Sequence, residues 1–216
     1  MPVTRVKICG LTIPEDAELS VDAGADAIGL VFYAPSPRNV DDLARAREIA
    51  QAAGPFVTVV ALFVDASEWF IESVLRAVPI NLLQFHGGET ELQCNRFGHP
   101  YIKALRMKPD TDVHSAIAPY ESAQGILLDT YVAGVPGGTG ECFDWHRVPF
   151  PSPKPIVLAG GMTPENVAQS VEIAKPYGVD VSGGVEASAG IKNPEKVRQF
   201  IENAKRQNGY MPTLSA

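Results

Sequence analysis

No stretch of about 18 consecutive apolar residues occurs in the 216-residue chain, and no basic segment near its start leads into an apolar run. Neither a membrane span nor a signal peptide is therefore expected. Cysteine is scarce: Cys9, Cys94 and Cys142 form an odd, widely separated set without a C-x-x-C pair. This excludes a disulfide scaffold or a metal ribbon and suits a reducing, cytoplasmic compartment. Runs of Lys or Arg are also missing, and with a formal net charge of -7 the chain offers no surface for nucleic acid or anionic lipid. His86, His99, His114 and His146 share no metal-ligand spacing, so no metal is expected. What remains is a protein whose partners are small molecules.

The chain does have a regular cadence. Short β-branched runs at 3–9, 26–32, 56–64, 80–85, 101–106, 124–129, 155–159 and 178–182 alternate with helical stretches. Such alternation implies a parallel sheet with crossover helices, and eight units in a chain of this length fit one α/β domain, a closed (β/α)8 barrel with outer helices. The barrel is expected over 1–208, followed by a fraying tail at 209–216. A doubly wound open sheet is disfavoured, because no G-x-G-x-x-G follows the first strand and polar strand exits recur along the whole chain. The Pro-rich segment 146–155 reads as a loop feeding strand seven, since the two β-α units after it could not cover both faces of a separate sheet. In T-I-P-E-D-A-E-L and M-T-P-E-N-V, Thr12 and Thr163 are expected as helix caps, with Pro14 and Pro164 in the first turn.

Strand C-termini in such a barrel open on one face, which makes the strand exits the candidate site. Strand one ends in Cys9 before Gly10, and strand six, I-L-L-D, ends in Asp129. A thiol and a carboxyl on one face could serve as base and acid. Each also has a plainer reading: free cysteine is often buried filler, and an exit aspartate often caps a helix or orders a loop. Residues two apart on a strand share a side, which puts Lys7 below Cys9 in the barrel interior. Strand eight closes beside strand one, so Asp180 is the expected partner of Lys7. Gly160–Gly161 and Gly183–Gly184 follow strands seven and eight, where glycines let backbone N–H groups approach phosphate oxygens, although they also suit ordinary turns.

Pro35 and Pro37 stiffen the loop that carries Arg38, a side chain fitted either to a carboxylate or to a surface ion pair. His86, at the exit of strand four, is a substrate contact or a satisfied core histidine. The long, glycine-rich segment after Asp129 reads as a mobile cover over the site. Within it, Cys142 is a competing thiol or, beside Phe143, a packing residue.

Taken in order, K-I-C-G-L-T, G-L-V-F-Y-A-P-S-P-R-N-V, L-L-Q-F-H-G-G-E, I-L-L-D with G-G-T-G-E-C-F-D-W, L-A-G-G-M-T-P-E-N-V and D-V-S-G-G-V-E resemble the phosphoribosylanthranilate isomerases of tryptophan biosynthesis, nearly end to end. The resemblance implies an Amadori rearrangement of N-(5-phosphoribosyl)anthranilate to 1-(2-carboxyphenylamino)-1-deoxyribulose 5-phosphate. It assigns Cys9 as general base, Asp129 as general acid, Arg38 to the anthranilate carboxylate and the two glycine pairs to the phosphate. It further implies a phosphosugar as the small-molecule partner, no cofactor, and a monomer or homodimer. One departure stands out: the family usually has two serines before the last glycine of the strand-eight motif, whereas here Ser182 is followed by Gly183. A hydroxyl near the phosphate is thereby missing.

Overall fold

The computed structural model describes residues 3–130 and 142–206. Its parallel strands are β1 (Arg5–Cys9), β2 (Ala27–Phe32), β3 (Thr58–Phe63), β4 (Leu82–Phe85), β5 (Tyr101–Met107), β6 (Gly125–Thr130), β7 (Ile156–Leu158) and β8 (Gly178–Val181). Each pairs with the next and β8 closes onto β1, giving the barrel of the TIM type that the cadence implies. A small antiparallel hairpin, β9 (Glu186–Ser188) and β10 (Ile191–Lys192), follows β8. Nothing in the sequence pattern anticipated it.

Strands such as A-I-G-L-V-F and T-V-V-A-L-F are apolar on both faces because one side meets the helices and the other fills the barrel. The helix-facing side merges into one large core that includes Ile8, Ile28, Leu30, Phe63, Leu83 and Leu128. Inside the barrel are two smaller clusters, Cys9–Val31–Leu62 and Ile102–Ala104–Leu127–Ala159. The site is built on top of these.

The outer layer comprises α1 (Pro14–Asp22), α2 (Leu43–Ala52), α3 (Glu68–Ala77), α4 (Glu91–Asn95), α5 (Val113–Ile117), α6 (Val167–Ala174) and α7 (Pro194–Arg206). The longest, α7, buries Val197, Phe200, Ile201 and Ala204 at the spacing of one helical face. Ser67 accepts from Phe70 N–H to cap α3, and Thr90 with Gln93 forms a capping box on α4.

The two expected threonine caps are corrected. Pro14 does occupy the first turn of α1, but the preceding Ile13 gives no side-chain cap, and the Thr12 hydroxyl instead donates to Gly190 O at 2.7 Å. Likewise α6 starts only at Val167, a turn beyond Pro164, because the Asn166 side chain accepts from Thr163 N–H and holds residues 163–166 in a turn. In the sixth unit the described residues hold only the 3-10 turn Trp145–Arg147 in place of an α-helix. The Pro-rich segment leads directly into β7, as expected. The proposed tail and residues 131–141 of the expected cover lie outside the described residues.

Candidate active site

Every strand exit singled out in the sequence opens into one cavity of about 650 Å³ at the C-terminal mouth of the barrel, a volume suited to a small metabolite. Cys9 and Asp129 both line it, from β1 and β6, with β7 and β8 between those strands. Arg38, His86, Asp180 and the pairs Gly160–Gly161 and Gly183–Gly184 complete the wall. Cys142 is not among the described residues lining it; its Sγ lies just behind, 3.3 Å from Gly161 O and 3.4 Å from Asn166 Nδ2.

Lys7 and Asp180 face each other in register and pair at 2.9 Å in the interior, as the period-two reading requires. Burial opposes the Lys7 charge, but Asp180 and the Cys9 thiol together outweigh it and hold the lysine above its usual range. For Cys9 the balance falls the other way. Burial pushes the thiol up, Lys7 pulls it down, Asp180 pushes it up, and a second cation, Lys192, pulls it down; the net shift is upward. The resting group is therefore a thiol with two lysines near enough to ease its ionisation.

Arg38 is not a free cation. Its Nε and Nη2 donate to Glu186 Oε1 and Oε2 at 2.6 and 2.7 Å, and Lys192 Nζ donates to the same Oε1 at 3.0 Å. The hairpin that places Glu186 opposite Lys192 thus anchors the loop after β2 across the end of β1. Burial would raise the Glu186 carboxyl, but Arg38 and Lys192 hold it below the usual range. Lys192 itself is lowered, by burial first; Glu186 supports its charge while Arg38 repels it. With one edge of the guanidinium committed to Glu186, Arg38 presents its Nη1 edge as the remaining fork. A Cβ at Gly183 would stand 3.1 Å from Arg38 Nη2, so the missing serine leaves uncrowded the edge that holds Glu186.

Asp129 is hydrogen-bonded to His86: Oδ2 lies 3.0 Å from Nε2, and Nδ1 in turn lies 3.0 Å from Gln84 Nε2. On its other side, Oδ1 lies against Gly160, which has φ +77° and whose Cβ, if present, would be 2.6 Å from that oxygen. Glycine at 160 is what lets the carboxylate sit there. Gly184 answers to a similar constraint, since a Cβ would overlap the Met162 carbonyl. Among the described residues the N–H groups of Gly161, Gly183 and Gly184 donate to no protein acceptor. They are available to an anion. The helical turn after Ser182 is only three residues long, so these donors, more than a helix dipole, make the pocket anion-friendly.

Sequence reasoning missed several contributors. Arg106 lines the cavity and is in register with Asp129; two places past Ala104 on β5, it carried a period-two signal. Gln84, two before His86, carried the same signal. Lys103 gave none: it is buried, and its Nζ donates to Phe85 O, Gly87 O and Glu89 Oε2 at 3.3, 2.7 and 2.9 Å. Glu89 Oε1 accepts from Asp65 N–H, tying the exits of β3, β4 and β5 together and fixing the loop that begins with His86.

A closed parallel barrel with a thiol, a carboxylate and two glycine turns around one mouth belongs to the class of (β/α)8 proteins, whose enzymes carry their sites at this face. Residues 6–203 match the family model of N-(5'-phosphoribosyl)anthranilate (PRA) isomerase. The isomerase of Pseudomonas aeruginosa strain UCBPP-PA14 is 60% identical over 202 residues, 94% of this chain and 95% of that one. The crystal structure of phosphoribosyl anthranilate isomerase from Thermotoga maritima matches with a TM-score of 0.86 at 39% identity, covering 94% of this chain and 99% of that one. Another, of the isomerase with reduced 1-(o-carboxyphenylamino)-1-deoxyribulose 5-phosphate, matches with a TM-score of 0.82 at 38% identity and the same coverage. This chain belongs to the phosphoribosylanthranilate isomerase family.

Proposed function

We propose that the chain catalyses the Amadori rearrangement of N-(5-phosphoribosyl)anthranilate in tryptophan biosynthesis, with Asp129 as general acid and Cys9 as general base. Asp129 gives a proton to the furanose ring oxygen while the aryl amine pushes its lone pair into C1, opening the ring to an iminium. The iminium acidifies the C2 hydrogen, and Cys9 removes it as a proton. The resulting enolamine becomes the ketone when C1 takes up a proton and the C2 hydroxyl releases one. One proton must then return to Asp129 and one leave Cys9, so the cycle consumes none overall. The amine of the substrate supplies the electron push, and no cofactor is needed.

The observation that carries this reading is the opening of Cys9 and Asp129 into the same cavity from strands separated by β7 and β8. The N–H groups of Gly161, Gly183 and Gly184, unpaired among the described residues, suit the phosphate, and the Nη1 edge of Arg38 suits the anthranilate carboxylate. Asp180 and His86 shape the wall between them. An ordinary thiol is only a few per cent ionised at neutral pH, a cost of about 2 kcal/mol, and burial of Cys9 adds to it. Turnover should accordingly rise with pH as the thiolate forms. Free thiols suit a cytoplasmic setting, and the enzyme works as a monomer or homodimer without nucleic acid or membrane.

The test follows the loss of substrate fluorescence on turnover by wild type, Cys9→Ser and Asp129→Asn. Turnover falls by orders of magnitude in each variant while KM stays near the wild-type value. Near-normal turnover in either variant removes that residue from the mechanism.

A further inference from the structure

Gln84 stands out as a fully buried polar residue in the short, otherwise apolar β4 segment L-L-Q-F. It does not line the cavity, and its Oε1 is buried without a hydrogen-bond partner. An orphaned buried carbonyl costs stability that leucine or methionine in its place would not. Its one side-chain partner is His86 Nδ1, at 3.0 Å from Nε2. Because Gln84 and His86 are two residues apart at the end of one strand, they point to the same side. Among the described residues no second hydrogen bond holds the amide, so its bond to His86 couples the amide directly to the protonation pattern of the imidazole.

An amide N–H can donate to Nδ1 only when that nitrogen carries no proton. The neutral ring then holds its hydrogen on Nε2, which lies 3.0 Å from Asp129 Oδ2 and donates to it. Oδ2 is thereby taken up by the histidine, and Oδ1, beside the Gly160 turn, is left as the oxygen that carries and delivers a proton. The same Nε2–H stabilises the carboxylate that remains after delivery.

We propose that Gln84 is a positioning residue for the proton-donating step: it fixes His86 as the Nε2–H tautomer and thereby assigns one Asp129 oxygen to the histidine and the other to the substrate. This rests on the role of Asp129 as the acid. Gln84 itself touches neither substrate nor cavity.

The test combines 15N NMR of histidine-labelled protein with steady-state kinetics on Gln84→Met, which removes donor and acceptor at similar volume, and Gln84→Glu, which keeps the shape and in its ionised form offers only an acceptor. The His86 signals are assigned by their absence in His86→Asn. In wild type Nδ1 gives the signature of an unprotonated ring nitrogen and Nε2 that of a protonated one. Gln84→Met mixes the two tautomers and lowers kcat on the order of tenfold, with KM within about twofold of wild type. Gln84→Glu moves the proton to Nδ1 and lowers kcat further.

A wild-type Nδ1–H signature overturns the proposal, as does an unchanged tautomer in Gln84→Met. A loss of stability with an unaltered tautomer and unaltered kcat marks Gln84 as structural only, and also overturns it. The NMR signature is read without turnover. Failure of the acid assignment shows itself separately, as activity retained by Asp129→Asn.

Discussion

Replacing Lys7 with Met leaves Asp180 as an uncompensated carboxylate in the barrel interior. The pair is separated by 2.9 Å, and its side chains are 7% and 9% exposed. Stranding one member of a buried pair costs about 3–5 kcal/mol, a large share of a typical total of about 5–15 kcal/mol, so the variant folds with little to spare. The lysine is held above its usual range in the folded protein. Its contribution is therefore fully present below the unfolded value of about 10.4 and fades as pH rises through the folded one; denaturation at pH 7 reads all of it.

Removing the second charge as well, in Lys7→Met/Asp180→Asn, recovers much of the loss, so the two single losses exceed that of the double variant by about 2 kcal/mol. The Cys9 thiol supplies a second readout with opposite signs. Lys7→Met takes away a group that lowers it, whereas Asp180→Asn takes away one that raises it. Alkylation by iodoacetamide against pH, in a Cys142→Ser background, should move to higher pH in the first variant and to lower pH in the second. Cys142 is exposed and would mask the effect, while Cys94 is buried and pushed up to about 12 by that burial. Additive stabilities together with identical alkylation profiles would refute the electrostatic account.

Glu186→Gln leaves Arg38 and Lys192 without their shared anion and should cost about 2–3 kcal/mol at pH 7 in urea denaturation. Because the folded carboxyl is held low, this contribution is present above the ordinary glutamate value of about 4.3 and fades as pH falls through the folded one; a gap that persists in acid contradicts the pairing. Arg38→Met should raise KM for the carboxylated substrate roughly 10- to 100-fold. Equal loss on an analogue lacking the ring carboxylate removes that assignment. Gly184→Ala forces the loops after β7 and β8 apart, lowering stability by about 1–3 kcal/mol and raising KM more than it lowers kcat. An alanine variant with unchanged KM and melting behaviour would show that the Met162 carbonyl yields freely.

The barrel was legible because parallel strands buried on both faces leave continuous apolar runs that end in chemically active residues such as Cys9, His86 and Asp129. The Lys7–Asp180 pair was legible too, from period two and closure of the last strand on the first. Contacts that depend on how adjacent loops lean over the mouth were not. For Arg38 a carboxylate fork and an ion pair both stayed open, because Glu186 lies 148 residues away on a hairpin whose strands, three and two residues long, are too short to show a period. Thr12 and Thr163 each had the composition of a cap, but tertiary partners, Gly190 for one and the Asn166 turn for the other, took precedence over local propensity. Lys103 sits in an apolar run with its partners on another strand and loop, where no spacing rule reaches.

Gly160 gives the mouth of this barrel a shared joint. The residue whose bare backbone accommodates Asp129 Oδ1 belongs to the same turn that we propose receives the substrate phosphate. Seating that end and aiming the proton are then one mechanical event. A nucleoside-like analogue stripped of its phosphate should lose rate as well as grip, because an unfilled turn leaves the carboxylate free to drift off its target.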